Sequence, residues 1–218
     1  MKIALIGATG FVGSKILPEA LSRKHQVTAI ARNTAPLKPQ PNLTVKACDV
    51  HDVDALCKLL AGHDVVISAF NPARQTPGPE VYHKHVAGHR AIIDAVKKSG
   101  VKRYIAVGGA ASLKVKSGQE LLDSAEFPKE YEQFKGGIRG TREQYYMLKN
   151  EPSLDWVFLA PSVRLLPGTR TGKYRAGKDE VLYDAKGESH ISLEDYAVAV
   201  LDEIEKPKHT RERFTVGY

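Results

Sequence analysis

Short apolar runs alternate along this chain with segments whose apolar residues recur at helical spacing. Lys2–Ile6 is an apolar run ended by Gly7 and predicts a strand buried on both faces. Phe11–Arg23 follows with Phe11, Ile16, Ala20 and Leu21 at helical spacing, and Pro18 inside it is expected to kink or weaken the helix. Gln26–Ala31 and Leu43–Cys48 read as the second and third strands, joined by a connector carrying Pro36, Pro39 and Pro41. A helix over Asp52–Leu60, capped by Asp49 or Asp52, leads to a fourth strand over His63–Ala69. Val81–Lys98 predicts a long helix closed by Gly100, and Lys102–Val107 a fifth strand. Lys114–Glu126 is polar and reads as loop with a short helix. Lys129–Asn150 reads as a helix stopped by Pro152, and Asp155–Ala160 as the sixth strand. The remainder predicts a glycine-rich loop over Pro167–Gly177, a short strand near Val181–Tyr183, a helix from Leu193 and a last strand at Arg213–Val216.

Repeated strand–helix–strand units imply an α/β fold, a doubly wound parallel sheet with helices on both faces. One domain over residues 1–218 is expected, with residues 161–192 forming most of a small C-terminal lobe on the substrate side. Ligands of such sheets bind at the carboxyl ends of the strands, near the switch point of the strand order. The 218 residues are 42% hydrophobic and 26% charged, ordinary for a globular chain that needs no disulfide or metal staple. Cys48 and Cys57 have no paired-ligand or redox spacing and read as reduced, buried small hydrophobes. No apolar run approaches the roughly 20 residues of a membrane span. Met1–Ile6 is too short for a signal peptide, so a cytoplasmic protein without membrane contact is expected. The net charge of +7 comes without a basic run or a basic-aromatic patch, which argues against nucleic acid and for acidic small-molecule ligands.

One motif identifies such a ligand. Gly7-Ala8-Thr9-Gly10-Phe11-Val12-Gly13 stands between the first strand and the first helix, the phosphate-binding arrangement of a Rossmann-type dinucleotide fold. Gly7 permits the turn, Gly10 lets the backbone approach a pyrophosphate, and Gly13 lets helix and strand pack closely. The amides of the helix N-terminus, around Thr9, Phe11 and Val12, then favour the negative charge of the phosphates. NAD-preferring sites place an acidic residue at the end of the second strand, where this chain has Ala31-Arg32-Asn33. Arg32 is either a surface residue or a bidentate partner for a 2′-phosphate, and the missing carboxylate favours the second, hence NADPH, with NADH possible. Ala69 and Phe70 end the fourth strand over the adenosine half of the site. Gly108, Gly109 and Ala110 end the fifth, close to where nicotinamide would lie.

The chain resembles the short-chain dehydrogenase/reductase superfamily in its atypical, epimerase-like and NmrA-like branch. His85-Val86-Ala87-Gly88-His89, Ile93-Asp94-Ala95 and Gly100-Val101-Lys102-Arg103 carry that resemblance. A narrower similarity, to the NADH-flavin reductase group, rests on residues 167–175, on Gly187-Glu188-Ser189-His190-Ile191-Ser192-Leu193-Glu194-Asp195-Tyr196-Ala197, and on residues 213–218. It implies reduction of flavins or related acceptors by NAD(P)H. It also implies that Asp49-Val50 lies against adenine, although Asp49 is equally a helix cap. Members of the superfamily commonly use a Tyr-x-x-x-Lys pair, which Tyr145 and Lys149 match by letter. Tyr145 falls late in its predicted helix, roughly 20 Å from the start at 1.5 Å per residue, so it is disfavoured as the catalytic acid.

Hydride transfer to a flavin requires no such dyad, because the cofactors carry the chemistry and the protein orients them. Pro161, Ser162 and the loop behind them are expected to supply stacking, and Ser112 is the best-placed hydroxyl for a proton, unless it is an ordinary loop serine. His85 and His89 share a helical face; without a third ligand, packing or surface roles are favoured over a metal, and His85 stands where relatives often carry an asparagine. Arg164, Arg170, Lys173 and Arg175 make the tail loop basic, either to hold a flavin phosphate or as a solvated loop or oligomer contact. Gly168, Gly172 and Gly177 give that loop the look of a lid. Ser192 and Asp195 read as a capping box. The expected partner is a flavin, quinone or similar small-molecule acceptor, bound to a monomer or homodimer. A noncatalytic nucleotide-binding regulator is the second reading, and an epimerase or ketoreductase the third.

Overall fold

The structure is a computed structural model and describes residues 1–72 and 77–218. Its elements run β1 (Lys2–Ile6), α1 (Gly13–Ser22), β2 (Gln26–Ala31), β3 (Leu43–Ala47), α2 (Val53–Leu60), β4 (Val65–Ser68), α3 (Glu80–Ser99) and β5 (Arg103–Val107). They continue with α4 (Lys135–Lys149), β6 (Asp155–Pro161), β7 (Arg164–Leu166), β8 (Arg175–Gly177), β9 (His190–Ser192), α5 (Leu193–Glu205) and β10 (Glu212–Gly217). The main sheet has the strand order β3-β2-β1-β4-β5-β6-β10-β8. Every pairing in it is parallel except β10 with β8, and β7 with β9 form a separate parallel pair. This is an α/β Rossmann-type sheet, with its strand order reversing between β1 and β4.

Side-chain alternation along the strands divides the core in two. Ile3 and Leu5 of β1 join Val65, Ile67, Val157 and Leu159 under α1 and α5. Ala4 and Ile6 join Val66, Tyr104, Phe158 and Ala160 under α2, α3 and α4. Both faces of the central strands are therefore covered, which is why those strands read as continuous apolar runs.

Several boundaries differ from the sequence reading. α1 starts at Gly13 rather than Phe11 and runs through Pro18, because Ile16, Leu17 and Ala20 bury its face against the sheet. Asp52, not Asp49, caps α2 by accepting from the Ala55 amide at 3.0 Å, while Asp49 accepts from His51 N in a local turn. The helix expected from Lys129 begins as a 3-10 turn over Lys129–Phe134 and becomes α-helical only at Lys135. The strand expected near Val181–Tyr183 is irregular chain, since Val181 N bonds the Lys114 carbonyl outside any ladder. β8 instead extends the main sheet, so residues 161–192 are only partly a separate lobe. Among the described residues no helix is long and apolar enough to cross a membrane.

Candidate functional site

The loops after β1, β2, β3, β4, β5 and β6 all end at one cavity of about 1080 Å³ across the carboxyl edge of the sheet. The glycine loop forms its floor. Gly7 has φ of 77°, and a Cβ there would stand 2.6 Å from the Ala69 carbonyl oxygen. A Cβ on Gly10 would meet the Gly7 carbonyl at 3.1 Å, and one on Gly13 at 2.1 Å. Gly13 is buried and outside the cavity lining, so its part is to let α1 seat on the loop. α1 has no side-chain cap at Val12, so the leading amides of the helix are not competed for by a side-chain oxygen. Thr9, Gly10, Phe11 and Val12 line the cavity directly above them.

Arg32 and Asn33 form one rim of the cavity, with Asp49, Val50 and His51 beside them. Arg32 is exposed, whereas Val50 is buried and offers an apolar surface to a base. Ala69 and Phe70 lie at the centre. The Phe70 ring fills the space over Gly88, where a Cβ would approach it to 2.3 Å, and meets His89 edge-on at 5.4 Å. Gly108, Gly109, Ala110, Pro161 and Ser162 close the far half. The Ser162 hydroxyl donates to the Val216 carbonyl at 2.9 Å, which fixes it against β10. The residues expected at a dinucleotide are thus brought together, apart from Gly13 behind the loop.

The two candidate proton donors are not in the cavity lining. Ser112 is buried, and its Oγ accepts from the Arg213 guanidinium at 2.8 Å. Arg213 also stands 4.4 Å from the Tyr145 ring and pairs with Asp179. Tyr145 packs against Phe158 at 5.3 Å, burial pushes its pKa up, and Lys149 is exposed at the end of α4. Ser112 and Tyr145 therefore belong to a structural cluster around Arg213. Because α4 starts at Lys135, Tyr145 lies about 15 Å along it rather than 20.

The tail loop is also placed elsewhere. Arg170 pairs with the buried Glu19 on α1, Arg164 with Glu130, and Arg175 donates to the Tyr183 and Tyr218 carbonyls. None of these, nor Lys173, lines the cavity. The loop is strapped down: Asp195 accepts from Thr171 N and Gly172 N at 2.8 Å each, and Glu194 from Gly168 N at 2.9 Å. Ser192 caps α5 by accepting from Asp195 N, but Asp195 turns to this loop instead of returning the bond, so the capping box is only half formed.

Sequence reading missed one apolar stretch of the cavity lining. Leu121, Phe127, Tyr131, Phe134, Ile138 and Leu165 line an apolar annex beyond the ends of β5 and β6. Its visible signal was the recurrence of Phe127, Tyr131 and Phe134 at helical spacing within an otherwise polar stretch. From α4, Thr141 and Gln144 also reach the lining. So do His85 and His89, both buried, with His85 Nδ1 3.4 Å from His89 Nε2. Burial pushes His85 down to about 4 and moves His89 the same way, aided by its neighbour, so both are neutral imidazoles.

A family model described as NAD(P)H-binding matches residues 7–207. YwnB of Bacillus subtilis (strain 168), itself an uncharacterized protein, is 43% identical over 99% of this chain and 98% of its own. A crystal structure from Bacteroides thetaiotaomicron, provisionally named an epimerase, is 46% identical with a TM-score of 0.90, covering 100% of this chain and 96% of that one. Another from Streptococcus pneumoniae TIGR4, provisionally named an NADH-flavin reductase, is 31% identical with a TM-score of 0.84, covering 100% and 99%.

Proposed function

This chain belongs to the NAD(P)H-binding family, and from that premise we propose that it is an NAD(P)H-dependent reductase of a planar acceptor such as a flavin or quinone. The observation that carries this reading is the apolar annex of Leu121, Phe127, Tyr131, Phe134, Ile138 and Leu165. It adjoins the strand ends where the nicotinamide half of a dinucleotide belongs. A protein that only sensed the nucleotide would have no use for an aromatic-lined extension of the cavity.

The residues present fit the cofactor. A Cβ at Gly7 or Gly10 would intrude on backbone carbonyls, so the floor is kept to backbone alone, as a pyrophosphate requires. Arg32 offers a guanidinium where a 2′-phosphate would lie, which makes NADPH the preferred form. Val50 and Asp49 would hold the adenine. When bound, the dihydronicotinamide supplies a hydride. The backbone at Gly108 and Gly109 leaves room for a ring, and the annex orients the acceptor above it while excluding water. The similarity to a structure provisionally named an NADH-flavin reductase supports the acceptor class.

The test is anaerobic NADPH oxidation by the purified protein against FMN, FAD, riboflavin and a small quinone, with NADH in parallel. Saturable, protein-dependent turnover is the expected result, and the best acceptor defines the substrate class. Tight NADPH binding with no turnover on any acceptor would replace this reading by that of a nucleotide-sensing regulator.

A further inference from the structure

Four buried side chains carry polar atoms without a protein partner: Ser68 at the end of β4, His89 on α3, Tyr104 near the start of β5 and Gln144 on α4. Ser68 Oγ, His89 Nδ1, the Tyr104 hydroxyl and both amide atoms of Gln144 are occluded from solvent and close no hydrogen bond. All four residues are 1% exposed or less. The Tyr104 hydroxyl lies against Ser68 and Gln144 without a well-formed bond to either. Unsatisfied groups of this kind are costly and rare singly, so these residues mark a polar chamber whose free donors and acceptors ordered water would satisfy.

The helices put this chamber in line with His85. α3 joins β4 to β5 and α4 joins β5 to β6, so the two helices run parallel to each other. Gly140 of α4 faces His85 so closely that a Cβ there would stand 2.3 Å from His85 Cβ. Four residues further on each helix lie His89 and Gln144, which therefore share one level. Gly137, one turn earlier on α4, lies beside the same ring, a Cβ there standing 3.4 Å from His85 Nε2. His85 Nδ1 is turned to His89 Nε2 at 3.4 Å, which leaves Nε2, beside Gly137, as its other nitrogen; His85 and Gly137 both line the cavity.

We propose that His85 is the catalytic proton donor to the reduced acceptor, reprotonated through His89 from water held by Gln144, Tyr104 and Ser68. The inference rests on the reductase reading above. The acceptor, a quinone or flavin, takes a hydride from the dihydronicotinamide and needs one proton to become the neutral reduced product. His85 Nε2–H gives that proton as its Nδ1 receives the one on His89 Nε2, and His89 Nδ1 takes one from the chamber. Each ring begins and ends neutral with its tautomer exchanged, so no buried charge is created. In the transfer a proton enters at the chamber; after product release the reverse shift restores the starting tautomers, a solvent proton entering at His85 Nε2 and one leaving at the chamber, so each cycle consumes one solvent proton.

Two acceptors separate proton delivery from hydride transfer. Menadione takes a hydride and a proton, whereas the phenothiazinium cation methylene blue becomes its neutral leuco form by hydride alone. His85→Asn should lower menadione turnover roughly 100-fold, the usual worth of a placed general acid, and lower methylene blue turnover far less. Tyr104→Phe, which removes only a hydroxyl, should act in the same direction and covers the case in which His85→Asn does not fold. A solvent deuterium effect should appear with menadione, be absent with methylene blue and vanish in His85→Asn. Independently of activity, 15N spectra of histidine-labelled protein should show both imidazoles neutral at pH 6, and His89→Asn should change the tautomer of His85. Equal loss on both acceptors, or no loss on either, would overturn the relay while leaving the reductase reading intact. A wild-type protein that reduces neither acceptor would remove the reductase reading, and the relay with it.

Discussion

At Arg32 a single side chain separates two cofactors. The residue is exposed on the cavity rim, and no carboxylate stands at the end of β2 to hold a free ribose hydroxyl pair. Arg32→Ala should weaken NADPH binding roughly 10- to 100-fold, as expected for losing a charge-assisted pair, and leave NADH nearly untouched. Fluorescence titration with both nucleotides reads the difference. His85 and His89 set a second residue-level property. Their folded pKa values lie below the unfolded one, so between pH 6.5 and about 4 the unfolded chain binds more protons. Stability is therefore full above pH 6.5 and is lost as pH falls towards 4, by up to about 1.4 kcal/mol per pH unit for each ring. Urea midpoints measured from pH 7 to pH 4.5 should fall in the wild type and flatten in a His85→Asn/His89→Asn variant. Carboxylates such as Glu19 and Asp195, held below their ordinary values, add their loss only at lower pH.

At the scale of elements, caps and straps decide what moves. The Gly168–Tyr174 segment looks like a lid by composition, yet α5 holds it at its first turn. Asp195 is fully buried and accepts from Thr171 N, Gly172 N, Thr171 Oγ1 and the Tyr218 hydroxyl. Despite desolvation, those bonds from Thr171, Tyr218 and Gly172 keep its carboxyl below the ordinary range. Asp195→Ala should cost about 2–3 kcal/mol, because several donors lose a charged acceptor together. Hydrogen exchange at the Thr171 and Gly172 amides should accelerate, while NADPH affinity stays unchanged because Asp195 is outside the cavity lining. The 3-10 turn over Lys129–Phe134 is the opposite case. It has no side-chain cap and buries no residue completely, but it turns Tyr131 and Phe134 into the annex. Helical spacing in the sequence hid that break, since a 3-10 turn and an α-helix share nearly the same polar pattern over six residues.

For the whole molecule, the net charge of +7 acts at a distance on an anionic ligand. Arg32 and Lys84 lie in the cavity lining, opposed there by Asp49. NADPH carries an extra phosphate relative to NADH, so its affinity should fall more steeply as salt is raised from low to physiological ionic strength. Equal salt slopes for the two nucleotides would show that Arg32 does not meet the 2′-phosphate.

The sheet and the glycine loop were legible because their signals are local: apolar runs of strand length, a helix period, and three glycines where only backbone fits. Gly7, Gly10, Arg32, Asp49 and Gly108 line the cavity, a position readable from sequence since each occupies a fixed place at a strand end. Ser112 and Tyr145 could not be judged that way, because Arg213, 101 residues from Ser112, draws both into its own cluster. The annex and the buried His85–His89–Gln144 level are likewise products of packing between α3 and α4. Strand and turn chemistry is written in neighbouring residues, whereas the direction a polar side chain faces depends on which distant helix lies against it.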